Sequence, residues 1–303
     1  DGRSDLGSNG IWIQHGWLGD DGWFKTHGRD KTKFRSAERI NALVQQLQAH
    51  NFRYVFPHLA PALLNGQLME ADEAQTELFL DHCAAADIEV IPWIGGVFGF
   101  HCQLEDPEWR ATFANSIAQL LDKHPRLAGV QLNVEPLPSG NANFLKLLDE
   151  IREVMPKDKK LSIAAYPPPT IHQRSLEVHW NEAYYQEVAS RADQLAVMMY
   201  DTGVAWEKLY VQLMANWTEQ LLEWTPTDCE ILLGLPAYAD EGVEYHSPLV
   251  ENLESGLAGV HAGLARFEEL PPNYRGVAIY SEWEMDTGEW DLLRTRFCAD
   301  HSK

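Results

Sequence analysis

Eight short apolar runs recur along the chain, roughly 30 to 45 residues apart, at residues 11–14, 54–57, 89–93, 128–134, 161–166, 195–200, 231–235 and 276–280. Most are continuous rather than alternating, as expected of parallel strands buried on both faces. Helical periods fill the intervals. Ile40, Leu43, Val44 and Leu47 share one face. Asp106-Pro107 supplies an N-cap and a first-turn proline ahead of Phe113, Ile117, Leu120 and Leu121, and Asn143 precedes Phe144, Leu147, Leu148 and Ile151. Eight strand–helix units predict an α/β fold, a single (β/α)8 TIM barrel over residues 11–303, behind a flexible segment 1–10. An open doubly wound sheet would place a glycine-rich phosphate turn after the first strand. The chain instead reads His15-Gly16-Trp17-Leu18-Gly19, and no GxxxxGK[ST] occurs. No Pro/Gly/Ser-rich linker divides the middle of the chain.

Charge narrows the partners. With 24 Lys+Arg against 45 Asp+Glu, the net charge of −21 repels phosphate backbones and anionic membranes, so nucleic acid is not an expected partner. No apolar stretch of about 18 residues is present, which excludes a helical membrane span. Cys83, Cys102, Cys229 and Cys298 form no CxxC pair. A zinc site on them lacks its ligand spacing, and buried free thiols are the default, with room for one disulfide. The small polar start reads as a mature end left by signal removal or as an imposed boundary. The expected location is secreted, periplasmic or cell-surface. No feature specifies an oligomeric state.

A barrel does its chemistry at the C-terminal ends of its strands. Those ends carry Gln14-His15, Pro57-His58, Trp93, Glu135, Tyr166, Tyr200-Asp201, Tyr238, and Tyr280-Ser281-Glu282-Trp283-Glu284, with Trp17, Trp23 and Phe24 on the loop after the first strand. The set is rich in aromatics and carboxylates and lacks Lys and Cys. Flat aromatic rings stack on the C–H faces of sugars, and carboxylates and amides bond their hydroxyl rims. The competing account, that these aromatics merely fill the barrel, suits any single Trp better than the whole set.

Glu135 is the sharpest candidate. Side chains alternate along a strand, so Gln131, Asn133 and Glu135 share one face, while Val130, Leu132 and Val134 share the other. Polar groups on the inward face of a barrel strand are costly unless satisfied or functional. A carboxyl in an aromatic hollow has its proton affinity raised by desolvation, as a general acid near neutral pH requires. An ordinary salt-bridged glutamate is the plain alternative.

At these residues the chain resembles glycoside hydrolase family 18, the chitinase-like barrels, from the third strand to the eighth. Gly95-Gly96 with Asp106-Pro107, Arg110 and Phe113 is similar to the family's third-strand segment and following helix. Gly129 through Glu135 is similar to its fourth-strand signature, Asp-Gly-x-Asp-x-Asp-x-Glu. Met198-Met199-Tyr200-Asp201 matches its Met-x-Tyr-Asp, and Leu233 through Tyr238 its seventh strand. Residues 276–280 take the place of the eighth, with Tyr280 where the family usually has Trp. The resemblance implies that Glu135 is the acid/base, that Tyr200 and Asp201 contact the reacting sugar, and that Tyr280 floors that subsite. The signature's three acidic positions before Glu135 are here Ala128, Gln131 and Asn133. In the family, the carboxylate two residues before the acid orients the substrate's N-acetyl group and stabilises a cationic intermediate. Asn133 accepts a hydrogen bond but carries no charge, and losing one such preorganised group costs about 100- to 1,000-fold in rate.

The expected function is hydrolysis of an oligo- or polysaccharide without a cofactor. Glu135 is the proton donor, and Asn133, Tyr200 and Asp201 complete the catalytic set. Gln131, Trp93, Tyr280, Glu282, Trp283, His15, Trp17 and Tyr238 are expected to bind substrate. Trp23 is expected to extend the cleft. Two alternatives stand beside it. One is a lectin-like barrel without turnover. The other is a glycosidase pairing Glu135 with a second carboxylate, Glu282, Asp201 or Glu284. His15 and His58 with Asp201 form the one candidate metal set, weakened by the absence of an HxH pair after the first strand, and no metal is expected.

Overall fold

The computed structural model describes residues 4–171, 173, 177–240 and 242–300. Nine parallel strand segments form one curled sheet in the order β3-β2-β1-β9-β8-β7-β6-β5-β4. They are β1 (Asn9–Ile13), β2 (Phe52–Pro57), β3 (Glu89–Val90), β4 (Trp93–Val97), β5 (Gly129–Glu135), β6 (Lys160–Ala165), β7 (Gln194–Val197), β8 (Glu230–Pro236) and β9 (Tyr274–Tyr280). The third expected strand, 89–93, is split, because Pro92 has no N–H to give a ladder. Its first half pairs with β2 and its second with β5, and the Ile91 N–H reaches Val55 O while Leu59 N–H reaches Trp93 O, both at 2.9 Å. The two halves act as one stave, so nine segments close an eight-strand barrel.

Both faces of the sheet are buried, which explains the continuous apolar runs. Ile11 and Ile13 face the helical layer while Trp12 faces the barrel interior with Phe56, Ile91, Met198 and Leu232. Helix α2 (Ala37–Ala49) buries Ile40, Leu43, Val44 and Leu47. Helix α4 (Pro107–Lys123) starts at the expected cap, Asp106, whose carboxylate accepts the Glu108 N–H. Helix α5 (Ala142–Val154), capped by Asn141, buries Phe144, Leu147, Leu148 and Ile151. Asn9 and Gly10, assigned from the sequence to the leading segment, belong to β1. Ahead of them Asp5 is buried, and its carboxylate accepts from Asn9, Asn51 and the Ala299 N–H. All four cysteines are free thiols, three of them buried.

The lower barrel holds a buried polar ladder. Trp12 Nε1 donates to Gln131 Oε1 (2.8 Å), Gln131 to Ser162 (3.1 Å), Ser162 to Gln194 (2.9 Å), and Gln194 to Glu230 (3.1 Å), which Lys160 neutralises at 2.6 Å. Each polar side chain of this ladder is thereby satisfied. Above the ladder the barrel opens.

Candidate active site

Strand β5 carries the centre. Gly95 on the neighbouring β4 pairs with Asn133, and it has φ +131°. A Cβ at Gly95 would lie 2.0 Å from the Asn133 carbonyl oxygen, so only glycine fits. Gly95→Ala is therefore expected to displace Asn133 and to cost about 3 kcal/mol, combining backbone strain with overpacking, seen as a lower urea midpoint.

Asn133 is 4% exposed and donates through Nδ2 to Glu135 Oε1 at 2.9 Å. A carboxylate offers acceptors, so the amide turns its N–H₂ toward Glu135 and its oxygen away. That oxygen, Oδ1, is buried without a partner. Glu135 stands at the rim, open to the cleft yet densely surrounded by protein. Among the described residues no cation pairs with it. Burial raises its proton affinity, the Asn133 N–H opposes this, and the Asp201 carboxylate adds to it.

A cavity of about 310 Å³ lies over this carboxyl, lined by Glu135, Tyr166, Met198, Tyr200, Asp201 and Thr202 among others. Burial, reinforced by surrounding phenols and carboxylates, holds the Tyr200 hydroxyl protonated well past the ordinary phenol range. Tyr238 donates to Asp201 Oδ1. Asp201 sits just after β7 with a left-handed φ of 58°, a conformation Asp tolerates better than most side chains. The cavity shares Thr202 and Trp217 with a larger open trough of about 720 Å³, where Trp206 is 73% exposed.

An aromatic wall crosses the mouth. Tyr200 stacks on Tyr280 (centroids 5.8 Å), Tyr280 meets Trp283 edge-on (5.6 Å), and Trp283 meets His58 (5.1 Å), which stacks on Trp93 (4.3 Å). His15 lies edge-on to His58 at 5.1 Å, bonds Asp20 at 2.9 Å, and is covered by Trp23 at 4.2 Å. Burial, with repulsion from His15, keeps His58 neutral.

Several expected site residues stand elsewhere. Gln131 is fully buried in the polar ladder, both ends of its amide occupied, and does not line the cavity. Trp17 is 8% exposed and packs on Phe34 and Phe79, so it belongs mainly to the core. Glu284 is exposed, its N–H turned back to Ser281. Asp201 groups not with His15 and His58 but with His246 and Glu251, which the sequence reading missed. No strand period marks the long loop that carries those two, whereas Tyr166 was visible as a strand end.

Glu282 lines a separate cavity of about 330 Å³ with Gln14, Trp17, Lys33, Arg39 and Trp290. Its backbone N–H is tied to Trp12 O at 3.1 Å. Burial pushes its carboxyl up to about 7, against a weak opposing pull from Lys33. The folded state thus holds this proton more tightly than the unfolded chain, so stability is fully present at low pH and is lost as pH rises through about 7. Glu282→Gln is expected to remove that loss. It should match wild type near pH 4 and exceed it at pH 8 by on the order of 1–2 kcal/mol in urea unfolding, after allowance for partial exposure.

A closed parallel barrel with a carboxyl and stacked aromatics at its strand ends defines the class of barrel enzymes that act on sugars. The family model for glycosyl hydrolases family 18 matches residues 26–293. The chain belongs to that family, and it is a glycosidase. Solved structures share the fold at low identity. The spore cortex-lytic enzyme SleL of Bacillus cereus is 12% identical, with TM-score 0.63 over 96% of this chain and 74% of that one. A chitinase of Rhizomucor miehei is 14% identical, with TM-score 0.61 over 95% and 99%. A fungal endo-beta-N-acetylglucosaminidase of the same family is 14% identical, with TM-score 0.60 over 96% and 97%. No curated protein matches the chain by sequence.

Proposed function

We propose that this glycosidase cleaves an oligo- or polysaccharide containing an N-acetylated sugar, with Glu135 as proton donor. The observation that carries the reading is the pair at the end of β5: a carboxyl with no cation beside it among the described residues, opening on the cavity, next to an amide whose oxygen has no partner. Desolvation and the Asp201 charge keep Glu135 protonated to higher pH than an ordinary glutamate. Its proton passes to the glycosidic oxygen as the C–O bond breaks.

Asn133 Oδ1 suits the N–H of an acetamido group, so that the acetamido oxygen can close on the anomeric carbon. Water then opens the cyclic cation and returns a proton to Glu135. Tyr200 donates from a phenol that stays protonated, and Asp201 brings a carboxylate that acts electrostatically on Glu135. Tyr280 and Trp283 present stacking faces, and Trp206 offers a further face along the open trough. Pairing Glu135 with Glu282 finds no support, because the two carboxyls line different cavities. A polymeric substrate would suit a secreted, periplasmic or cell-surface location.

Reducing ends released from matched N-acetylated and de-N-acetylated glycans test the reading. Release from the acetylated polymer is the expected result. Cleavage of the de-acetylated polymer at an equal rate would remove Asn133's proposed role. Binding without release of either would make the chain a lectin-like barrel.

A further inference from the structure

The loop between β8 and α8 (Leu253–Leu264) reaches back to the Asp201 carboxylate with a buried ion cluster. The side chains of His246 and Glu251 are fully buried, whereas that of Asp201 is 42% exposed. His246 Nδ1 lies 3.4 Å from Asp201 Oδ1 and 3.4 Å from Glu251 Oε2. Its other nitrogen, Nε2, lies 3.3 Å from the Tyr238 carbonyl oxygen. A carbonyl only accepts, so Nε2 carries a proton. Nδ1 is within ion-pair range of both carboxylate oxygens without a hydrogen bond to either, and two anions beside it favour a proton there as well, which makes the ring an imidazolium.

The surroundings fix both anions. Glu251 Oε1 accepts the Thr202 N–H (2.9 Å) and the Thr202 hydroxyl, directly beside Asp201. The Tyr238 ring covers the imidazole face to face (4.3 Å), while its hydroxyl donates to Asp201. The Gly203 N–H bonds Tyr245 O at 2.9 Å, which joins the two loops again. Burial alone would drive the proton off His246; the two carboxylates more than reverse this and hold it up to about 9.

We infer that His246 and Glu251 are positioning residues for Asp201: the buried imidazolium holds that carboxylate in place and offsets part of the negative charge that Glu135 feels. The inference rests on Glu135 as the acid. The other titratable groups around the cluster are Tyr200 beside Asp201, Tyr238 after β8, Tyr210 on α7 (Glu207–Trp224), Tyr166 after β6 and Tyr280 on β9, with His179 and Tyr245 lining the same cavity. The phenols among them whose proton affinity is shifted are all shifted upward. Among the described residues, His246 is the basic group that contacts both Asp201 and Glu251.

Two measurements decide it. Nitrogen-15 spectra of the intact protein should show both ring nitrogens of His246 protonated at pH 7.5, with titration near pH 9. A neutral ring at pH 7.5 overturns the inference. So does micromolar Zn²⁺ binding that His246→Gln abolishes, because ligation needs Nδ1 bare. The second measurement is the pH profile of kcat/KM. His246→Gln leaves two uncompensated carboxylates and should move the alkaline limb up by about half a pH unit or more. The double variant His246→Gln/Glu251→Gln restores the wild-type net charge and should move the limb back. Damage that simply accumulates in the double variant, with no return of the limb, marks a structural role alone and overturns the inference. Should no glycan be turned over, the glycosidase mechanism fails, while the nitrogen spectrum still decides the state of His246.

Discussion

Glu135→Gln is expected to lower kcat by about a thousandfold or more on any glycan the protein cleaves, with KM changed by less than about threefold. The amide keeps the shape of the carboxyl and can still bond Asn133, so the cavity over β5 should survive. It cannot deliver a proton to a leaving oxygen. A transition-state proton transfer lost in this way removes rate without removing ground-state binding. The wild-type profile should also show its alkaline limb above the ordinary glutamate range, since burial and Asp201 both favour the protonated acid. Initial rates across pH, with substrate affinity of the inactive variant by calorimetry, check both parts. Retention of more than a tenth of the wild-type kcat by Glu135→Gln would move the acid elsewhere.

Asn133→Asp should act in the opposite direction. On an N-acetylated substrate it is expected to raise kcat by about 100-fold, because it places a fixed negative charge where the proposed cyclic cation would form. The new carboxyl would stand where the amide now lies 2.9 Å from Glu135, and two carboxyls that close share a proton. The alkaline limb should therefore rise by about one pH unit or more, as a property of the pair rather than of either residue. The cost is stability: a second buried acid lowers the urea midpoint, most of all at high pH. On a de-acetylated polymer the same variant should gain nothing. An equal gain on both polymers would show that Asn133 acts on the acid alone and not on the substituent. A loss on both would mean that the neutral amide is itself the adaptation, tuned to a sugar other than an N-acetylated one.

The strands and helix stripes could be read from the sequence because their signal is local. Continuous apolar runs record burial on both faces, and i, i+3, i+4, i+7 spacing records a helix laid on a sheet; both survive without knowledge of partners. The placement of Glu135 at a strand end followed from the same logic. Gln131 shows where it stopped. Alternation put it on the face of Asn133 and Glu135, and it does lie there, but Trp12 and Ser162, which come from β1 and β6, take up its amide. A hydrogen bond 119 residues away in sequence leaves no local trace. Glu282 is similar. Its position after β9 was visible, yet its carboxyl turns into a cavity that it shares with Trp283, separate from the one over Glu135.

By itself, then, the sequence determined the periodic part of this protein: the parallel barrel, the helical layer, and which strand end would hold an acid. Tertiary structure alone decided which polar side chains are used up inside the barrel, which carboxyl faces Glu135, and that His246 and Glu251 stand behind Asp201. The reason is range. Burial patterns are written in neighbouring residues, whereas charge pairing and cavity lining depend on loops brought together by closure of the barrel, and loops carry no period from which their partners can be read.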